Sequence, residues 1–269
     1  MRNMTRMAAA LCFLLSALIA QAAAQDFQKS YRLGPGASIN IRNVSGDINV
    51  RGYDGDAIVV NGFKEGRDQD KVTIEDQSSG NNVSVGVEYA RNCNCDASVR
   101  FEVQVPRNTR YDFNKITTAS GDINMNSVSG DILAHTASGD VTISDVSGKI
   151  NAATASGNMR VKNVTGTVSA RSASGDVEVQ ITRLEGTGNM EFSSASGDVR
   201  VSAPGDLDGN VQMSSATGSL RTDFPLQVEK SEYGPGERAS GRLGGGSRSL
   251  RISSASGNVS LLRTGTTNF

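Results

Sequence analysis

Apolar and polar residues alternate along most of the chain in short segments, and a glycine precedes each segment. Glycine recurs at every ninth residue from Gly121 to Gly175. Counted from each glycine, apolar residues stand two, four and seven positions later, as at Ile123, Met125 and Val128. The first two positions have the period of two that is typical of a β-strand, and the third points inward again after a bend. The density of glycines and the lack of a sustained period of 3.6 exclude a helical repeat.

The repeat consists of two unlike halves, so its full length is 18 residues. One half carries bulky residues such as Val141 and Ile143. The other carries mostly alanines, and we expect Ala137, Ala155 and Ala173 to be its third inward residues. Large residues that face small ones fill a thin interior without voids. A fixed short period is typical of a solenoid, and the predicted fold class is all-β: a parallel β-solenoid, or β-helix, of flattened coils of about 18 residues, two strands per coil, with successive coils stacked on one another.

A short leader precedes the repeats. Residues 1–24 combine Arg2 and Arg6 with an apolar run from Ala8 to Ala20 and a final group of alanines. This is the three-part layout of a secretory signal peptide, and we predict cleavage after Ala24. No later segment is apolar enough, over sufficient length, to span a membrane as a helix. The sequence therefore predicts an exported protein that is periplasmic or lies at the cell surface.

The remaining chain, residues 25–269, is predicted to be a single β-solenoid domain. Residues 25–115 follow the pattern loosely and predict wider N-terminal coils or a small antiparallel cap. Residues 116–263 contain the regular repeats, with a long edge loop at 222–247. A cap is required because the open end of a solenoid is an unpaired sheet edge, which promotes aggregation.

Composition and charge narrow the function further. The chain has 27 basic and 28 acidic side chains and a formal net charge of −1, so its charge gives no reason to expect a nucleic acid or an anionic membrane as partner. Tryptophan is absent and aromatic residues make up only 5% of the chain. This composition disfavours an aromatic-lined pocket for a small molecule, and no cofactor is predicted.

Several short motifs resemble the putative adhesin family of bacterial envelope proteins. They are Asn43-Val44-Ser45-Gly46-Asp47-Ile48, Val103-Gln104-Val105-Pro106, the run of Ser-Gly-Asp-Ile/Val units, and Thr222-Asp223-Phe224-Pro225-Leu226 ahead of a glycine-rich stretch. The resemblance covers nearly the whole domain. It implies a β-solenoid at the cell envelope, and it transfers no catalytic residues to this chain.

Cys93 and Cys95 are the cysteines that remain after the predicted cleavage. In an exported protein they can close a small disulfide, bridge two chains or stay reduced. A structural zinc site needs four ligands of sulfur or nitrogen character, and the chain has a single histidine, His135. We therefore predict no metal site at the cysteines.

Two columns of polar residues have alternative interpretations. Acidic or amide residues such as Asp122 and Asp140 follow the bulky-half glycines, and they indicate either a calcium column or, as we favour, carboxylates that each cap their own turn. Hydroxylic residues such as Thr136 and Ser138 flank Ala137 on both sides. If the alanine points inward, both hydroxyl columns are exposed, as in ice-binding solenoids; we favour local turn bonds instead.

Extra residues beyond the 18-residue repeat indicate either the place where the chain binds its partner or an edge that simply tolerates insertions. They occur at 182–187, 202–208 and 222–247, always in the same half of the repeat, so we expect them at one edge of the stack. Loops on a rigid scaffold concentrate recognition residues, and Tyr and Arg are frequent at interaction hot spots. The predicted binding patch consists of Arg183, Asp206, Asp208, Phe224, Tyr233, Arg238 and Arg242.

The sequence thus predicts a non-enzymatic envelope protein, an adhesin or scaffold, whose partner is an envelope component such as a glycan or a protein surface. No catalytic residue is predicted, because the coils from 121 to 175 carry no loops that could build a cleft. The alternative is a carbohydrate-active β-helix enzyme, a lyase or hydrolase, in which two carboxylates would act together. Calcium or ice binding is the third possibility.

Overall fold

The computed structural model describes residues 25–230 and 234–265. It contains 23 strands, and a single 3-10 turn, Gln69–Lys71, is its helical element. The all-β prediction is confirmed. None of the described residues forms a helix long and apolar enough to cross a membrane. The predicted signal peptide, residues 1–24, lies outside the described part of the chain.

The strands are short and follow one another closely along the chain. The first twelve are β1 (Phe27–Tyr31), β2 (Ser38–Arg42), β3 (Ile48–Tyr53), β4 (Ile58–Glu65), β5 (Val72–Asp76), β6 (Asn82–Tyr89), β7 (Ser98–Pro106), β8 (Arg110–Ser120), β9 (Ile123–Asn126), β10 (Ser129–Ser138), β11 (Val141–Ser147) and β12 (Ile150–Ser156). The others are β13 (Met159–Thr165), β14 (Val168–Ser174), β15 (Val177–Arg183), β16 (Met190–Ser196), β17 (Val199–Ala203), β18 (Gly209–Ser215), β19 (Leu220–Thr222), β20 (Gln227–Lys230), β21 (Glu237–Leu243), β22 (Ser249–Ser256) and β23 (Val259–Arg263).

Strand pairing divides the strands into two walls. The small wall runs β5-β6-β2-β8-β10-β12-β14-β16-β22-β18-β21-β20. The bulky wall runs β1-β4-β7-β3-β9-β11-β13-β15-β17-β23-β19. We call a small-wall strand and the bulky-wall strand that follows it in the chain a coil. In the regular repeats the parallel register is one repeat, with Val141 opposite Met159 and Ile150 opposite Val168. The result is a β-solenoid-like stack.

The interior lies between the two walls. Val141, Ile143 and Val161 of the bulky wall are completely buried, as are Ala152 and Ala170 of the small wall. These side chains belong to one hydrophobic cluster that runs the length of the stack. The period of two at the first two inward positions follows from this arrangement, because alternate side chains of a strand point to opposite faces.

The third inward position of the small wall is not alanine, and the prediction for Ala137, Ala155 and Ala173 was wrong. These alanines are exposed, whereas the hydroxylic residue before each of them is buried. Thr154 Oγ1 donates a hydrogen bond of 3.0 Å to the carbonyl oxygen of Gly139 in the preceding coil. The bond gives a partner to a corner carbonyl that would be costly to bury alone. The equivalent donors to glycine carbonyls are Thr118, Thr136, Ser172, Ser194, Ser215 and Ser254.

Glycine is required at this corner because the coils approach closely there. Gly139 has a φ of 149°, which residues with a side chain rarely adopt. A Cβ atom at Gly139 would also collide with the carbonyl oxygen of Gly121 in the coil below. The ninth-residue glycines therefore mark the bends at which the chain passes from one wall to the other.

The aspartates that follow these glycines do not cap their own turns, so that prediction was wrong as well. Asp122 Oδ1 accepts the backbone N–H of Asp140 at 2.8 Å, and Asp140 Oδ1 accepts the N–H of Asn158 at 2.7 Å. Asn158 Oδ1 in turn accepts the N–H of Asp176 at 3.1 Å. Parallel stacking in register places each side-chain oxygen beside the N–H of the next coil, so the column acts as an additional ladder.

The coils do not stack in the order in which they occur in the chain. The coil β2/β3 lies between β6/β7 and β8/β9. The coil β22/β23 lies between β16/β17 and β18/β19. The coils nearest to the two chain termini are therefore interior members of the stack, with a parallel neighbour on each side.

Antiparallel strands cover one end of the stack on both walls and the other end on the small wall. At one end β4 pairs with β7, β1 with β4 and β5 with β6. At the other end β21 pairs with β18 and β20 with β21. The prediction of an edge loop at 222–247 was wrong in one respect: part of this segment is not a loop, because β20 and β21 form a hairpin there. Unpaired sheet edges promote association, and the antiparallel strands protect the parallel stack from it.

Candidate functional site

The structure brings only some residues of the predicted binding patch together. Arg183 lies 3.8 Å from Glu185 in an exposed ion pair. Phe224 is only 5% exposed, and the Arg263 guanidinium lies 5.3 Å from its ring centroid. Tyr233 lies outside the described residues. Phe224 therefore packs into the core and offers little surface to a partner.

The extra segments do meet at one edge, where their polar groups bind one another. Asp208 accepts the backbone N–H groups of Ser247 and Gly246 at 3.2 and 2.6 Å. The hydrogen bond from the Ser247 N–H is the first cause that lowers the pKa of the Asp208 carboxyl. Arg248 donates to the carbonyl oxygens of Gly186 at 2.7 Å and of Asp208 at 3.1 Å. These contacts hold the extra segments together, so Asp208 has a structural role.

The two other charged members of the patch differ in their surroundings. Arg242 donates a hydrogen bond to the carbonyl oxygen of Gly245 within its own turn. Asp206 is exposed on the turn that precedes β18. Arg238, by contrast, lines a depression of the surface.

Arg238 lies in a groove on the outer face of the small wall, at the end that the hairpin β20–β21 covers. Strand register defines two rows of outward residues that cross β16, β22, β18, β21 and β20 in turn. The first row is Ser193, Ser253, Ser214, Arg238 and Glu229. The second row is Glu191, Arg251, Gln212, Ser240 and Gln227. Neighbouring residues of a row are about 4.8 Å apart, the spacing of paired strands.

The groove is shallow and polar. Its deeper part has a volume of about 540 Å³ and lies around Gln212, Arg238 and Arg251. A second depression of about 750 Å³ shares Arg238 with it and continues across β16 and β14 to β12. Together they form an open track along the stack axis, and we call this track the outer groove.

The charged groups of the outer groove are exposed and partly neutralised by one another. Arg171 Nη2 donates to Glu191 Oε2 at 2.5 Å. Arg251 Nη2 lies 3.5 Å from Gln212 Oε1, at the limit of a hydrogen bond. Exposed ion pairs of this kind contribute little to stability, because water screens them. They leave guanidinium, amide and hydroxyl groups available to a polar ligand.

Sequence reasoning missed most of this site. Gln212 and Arg251 are 39 residues apart in the chain and become neighbours because the last coil is inserted beside β18. Their outward direction follows from the repeat, since they stand between the inward residues of their strands. The order of the coils has no such signal in the sequence, so the groove could not be assembled from it.

His135 and the two glutamates of the outer groove are not arranged as an enzyme or a metal site requires. His135 is exposed on β10, and partial burial alone lowers its pKa, with no contribution from a carboxylate. Glu191 and Glu229 of the groove are four strands apart, which is about 19 Å. Paired glycosidase carboxylates lie within about 10 Å of each other. Within residues 25–230 and 234–265, no group of three or more His, Cys, Asp or Glu side chains is placed to hold a metal ion.

The sequence profile described as Toastrack DUF4097 matches residues 37–262, most of the chain. The chain belongs to the Toastrack DUF4097 family. No curated protein shows a significant match to it. The matched residues extend from the first coil of the stack to the last. The part of the resemblance to the putative adhesin family that rests on the Ser-Gly-Asp units stays a prediction.

Two solved structures are similar to this chain. One is a putative cell adhesion protein from Clostridium sporogenes, with 10% identity and a TM-score of 0.37 over 88% of this chain and 99% of that chain. The other is a putative adhesin from Bacteroides fragilis, with 13% identity and a TM-score of 0.45 over 88% of this chain and 96% of that chain.

Proposed function

We propose that the protein is a non-enzymatic, exported envelope protein of the adhesin or scaffold type, built as a solenoid of flattened coils, and that its outer groove binds a polar glycan of the envelope. The observation that supports this proposal is the pair of rows across five strands, with hydroxyl, amide and guanidinium groups at strand spacing.

A glycan suits the groove for two reasons. The groove is open along the stack axis, so it suits a ligand that extends beyond it, whereas small ligands are largely enclosed by their sites. Its donors and acceptors repeat at a fixed interval of about 4.8 Å. A polymer whose hydroxyl or carboxylate groups also repeat can bind several strands at once. Such multivalent contact gives a higher overall affinity than the individually weak hydrogen bonds would give alone.

The groove favours binding over catalysis. Hydrolysis of a glycosidic bond needs an acid and a base or nucleophile on either side of one bond. The strands that carry Glu191 and Glu229 are about 19 Å apart, which is too far for that arrangement. A carbohydrate-active enzyme is therefore the less favoured alternative, and sustained release of reducing ends from any envelope polysaccharide would contradict our proposal.

The binding site can be tested by substitution. The variants Arg251→Ala and Gln212→Ala remove donors from the second row, and we expect each to weaken binding to the glycans that the wild type retains on a glycan array by about five-fold or more. The matched control is Arg200→Ala, which removes an exposed arginine from the outer face of β17 in the bulky wall. Equal binding by the wild type and both groove variants would refute the outer groove as the site.

Export is tested separately. The leader-like residues 1–24 support the proposal, and fractionation of the producing cells should recover a chain that begins at Gln25 in the periplasmic or surface fraction. N-terminal sequencing of that chain checks the cleavage after Ala24. A full-length chain in the cytosol would refute export without affecting the groove.

A further inference from the structure

The loop between β6 and β7 carries a feature that the outer groove does not use. Cys93 and Cys95 are paired there in a disulfide, with their Cα atoms 5.1 Å apart. Both cysteines are partly exposed, and Asn94 between them is exposed. The disulfide therefore lies at the surface, within reach of another molecule.

The loop is held in place by bonds that do not involve the two sulfur atoms. Upstream, the Ala90 N–H donates to the carbonyl oxygen of Lys71 at 2.9 Å. Downstream, the Asp96 N–H donates to Asp68 Oδ2 at 2.9 Å, and Arg67 Nε donates to Asp96 Oδ2 at 2.7 Å. These contacts fasten both ends of the loop to the segment between β4 and β5.

A second pair of contacts completes the anchorage. The Tyr89 hydroxyl donates to the carbonyl oxygen of Ala97 at 3.1 Å, which closes the base of the loop. The Cys93 N–H donates to the carbonyl oxygen of Ala90 at 3.2 Å, and this bond forms the turn before the cysteines. The loop thus has a defined path without the covalent bond.

The disulfide joins residues only two apart in the chain. A disulfide stabilises a fold mainly by restricting the unfolded chain, and this effect is least for the shortest loops. The Cys93–Cys95 bond links no two strands and closes one of the smallest rings that a chain permits. At this position the disulfide therefore stabilises the fold little. Because it is exposed, it can react with other molecules.

We propose that Cys93 and Cys95 form a thiol–disulfide exchange site for cysteine-containing proteins or peptides. A substrate thiolate attacks the Sγ atom of one cysteine, the bond between the two sulfurs breaks, and the other cysteine leaves as a thiolate that takes up a proton. A second thiolate of the substrate then attacks the substrate sulfur of the mixed disulfide, the bond to the protein sulfur breaks, and this cysteine also leaves as a thiolate that takes up a proton. The substrate becomes a disulfide, and its two electrons reduce Cys93 and Cys95 to thiols.

The substrate is a dithiol, and the exchange also runs in reverse. Reduced Cys93 and Cys95 can break a substrate disulfide by the same steps. Asn92 and Asn94, the neighbours of Cys93 in the chain, are both exposed, so the loop lies open to solvent on this side. The site is independent of the outer groove, so it stands whether or not a glycan binds there.

The test uses the exported chain that begins at Gln25, in its oxidised form, and a reduced, synthetic, unstructured peptide with two cysteines. We expect the peptide to be oxidised at least about ten-fold faster than by glutathione disulfide at the same concentration, with one pair of protein thiols appearing for each peptide disulfide formed. Given the same peptide in its disulfide form, the variants Cys93→Ser and Cys95→Ser, each with one free thiol, should each attack it and form a mixed disulfide with the peptide, seen by mass spectrometry.

The double variant C93S/C95S is the control. It should lose the exchange and keep the urea unfolding midpoint of the wild type, because other bonds anchor the loop. A peptide oxidation rate no higher than that with glutathione disulfide would overturn the proposal. So would a large fall in the midpoint of the double variant, since the disulfide would then have a structural purpose.

Discussion

At the scale of single residues, the repeat is a set of corner bonds between successive coils. Thr154 donates to the carbonyl oxygen of Gly139, and Asp140 accepts the N–H of Asn158. The hydroxyl bond supplies a buried carbonyl with a donor, and the carboxylate supplies a corner N–H with an acceptor. Each repeat thus satisfies, with its own side chains, the backbone groups that the bend would otherwise leave unpaired. A short code of Thr or Ser, Ala, Ser, Gly and Asp is sufficient for this.

The carboxylate ladder makes stability depend on pH. The N–H of Asn158, and next to it Arg160, lower the pKa of the Asp140 carboxyl, although slight desolvation opposes them. A lowered folded-state pKa contributes stability that is present above the unfolded-state pKa, near 4, and is lost as the pH falls through the folded-state pKa. Asp140→Asn keeps an oxygen acceptor without the charge, as Asn158 does naturally. We expect it to cost about 1 kcal/mol or less at pH 7.

The measurement is the urea midpoint of wild type and Asp140→Asn at pH 7 and at pH 3. The difference between the two proteins should shrink at pH 3, because below a pH of about 4 the unfolded wild-type chain takes up a proton at Asp140 more readily than the folded protein does. Asp140→Ala, which removes the acceptor, should be less stable than Asp140→Asn at both pH values. A difference that is constant between pH 7 and pH 3 would show that the ladder does not depend on charge.

At the scale of elements, the antiparallel hairpin β20–β21 ends the stack. It pairs with β18, whose outer edge would otherwise present free N–H and C=O groups. Ala239 of β21 is only 3% exposed and attaches the hairpin to the core, whereas its neighbour Ser240 points outward. The hairpin therefore has two faces with separate tasks: one completes the core, and the other forms part of the outer groove.

Detachment of the hairpin should cause the protein to associate. Ala239→Glu places a charge in the core, which costs about 3 kcal/mol or more and separates β21 from β18. We expect concentration-dependent oligomers in size-exclusion chromatography with light scattering. Ser240→Glu introduces the same side chain on the opposite face and should leave the elution unchanged. Equal behaviour of the two variants would mean that the hairpin does not protect the edge of β18.

The sequence predicts the strands well, because inward residues at a period of two reflect burial, as at Val141 and Ile143. It failed at Ala155, since a hydroxyl can take the inward position when a glycine carbonyl accepts its proton, and Thr154 does so. It also failed at the groove, which joins Gln212 to Arg251. Every coil carries nearly the same code, so the code specifies how a coil stacks and not which coil is its neighbour.

At the scale of the whole molecule, the interior position of the last coil determines which parts open first. β22 pairs on both sides, with β16 and β18, although it lies near the end of the chain. β20 pairs on one side only, and all four of its residues are exposed. Local opening requires less free energy where fewer contacts must break. We therefore expect the amides of β22 to exchange with deuterium as slowly as those of β12, and those of β20 at least about ten-fold faster.

Hydrogen exchange followed by mass spectrometry of peptic fragments checks this expectation, with β12 as the internal reference for a central coil. The comparison is informative because chain ends usually fray. If the last coil were stacked in chain order, it would be the terminal coil and β22 would exchange faster than β18. Slow exchange in β22 together with fast exchange in β20 requires the inserted arrangement, and the same insertion brings Arg251 beside Gln212 in the outer groove.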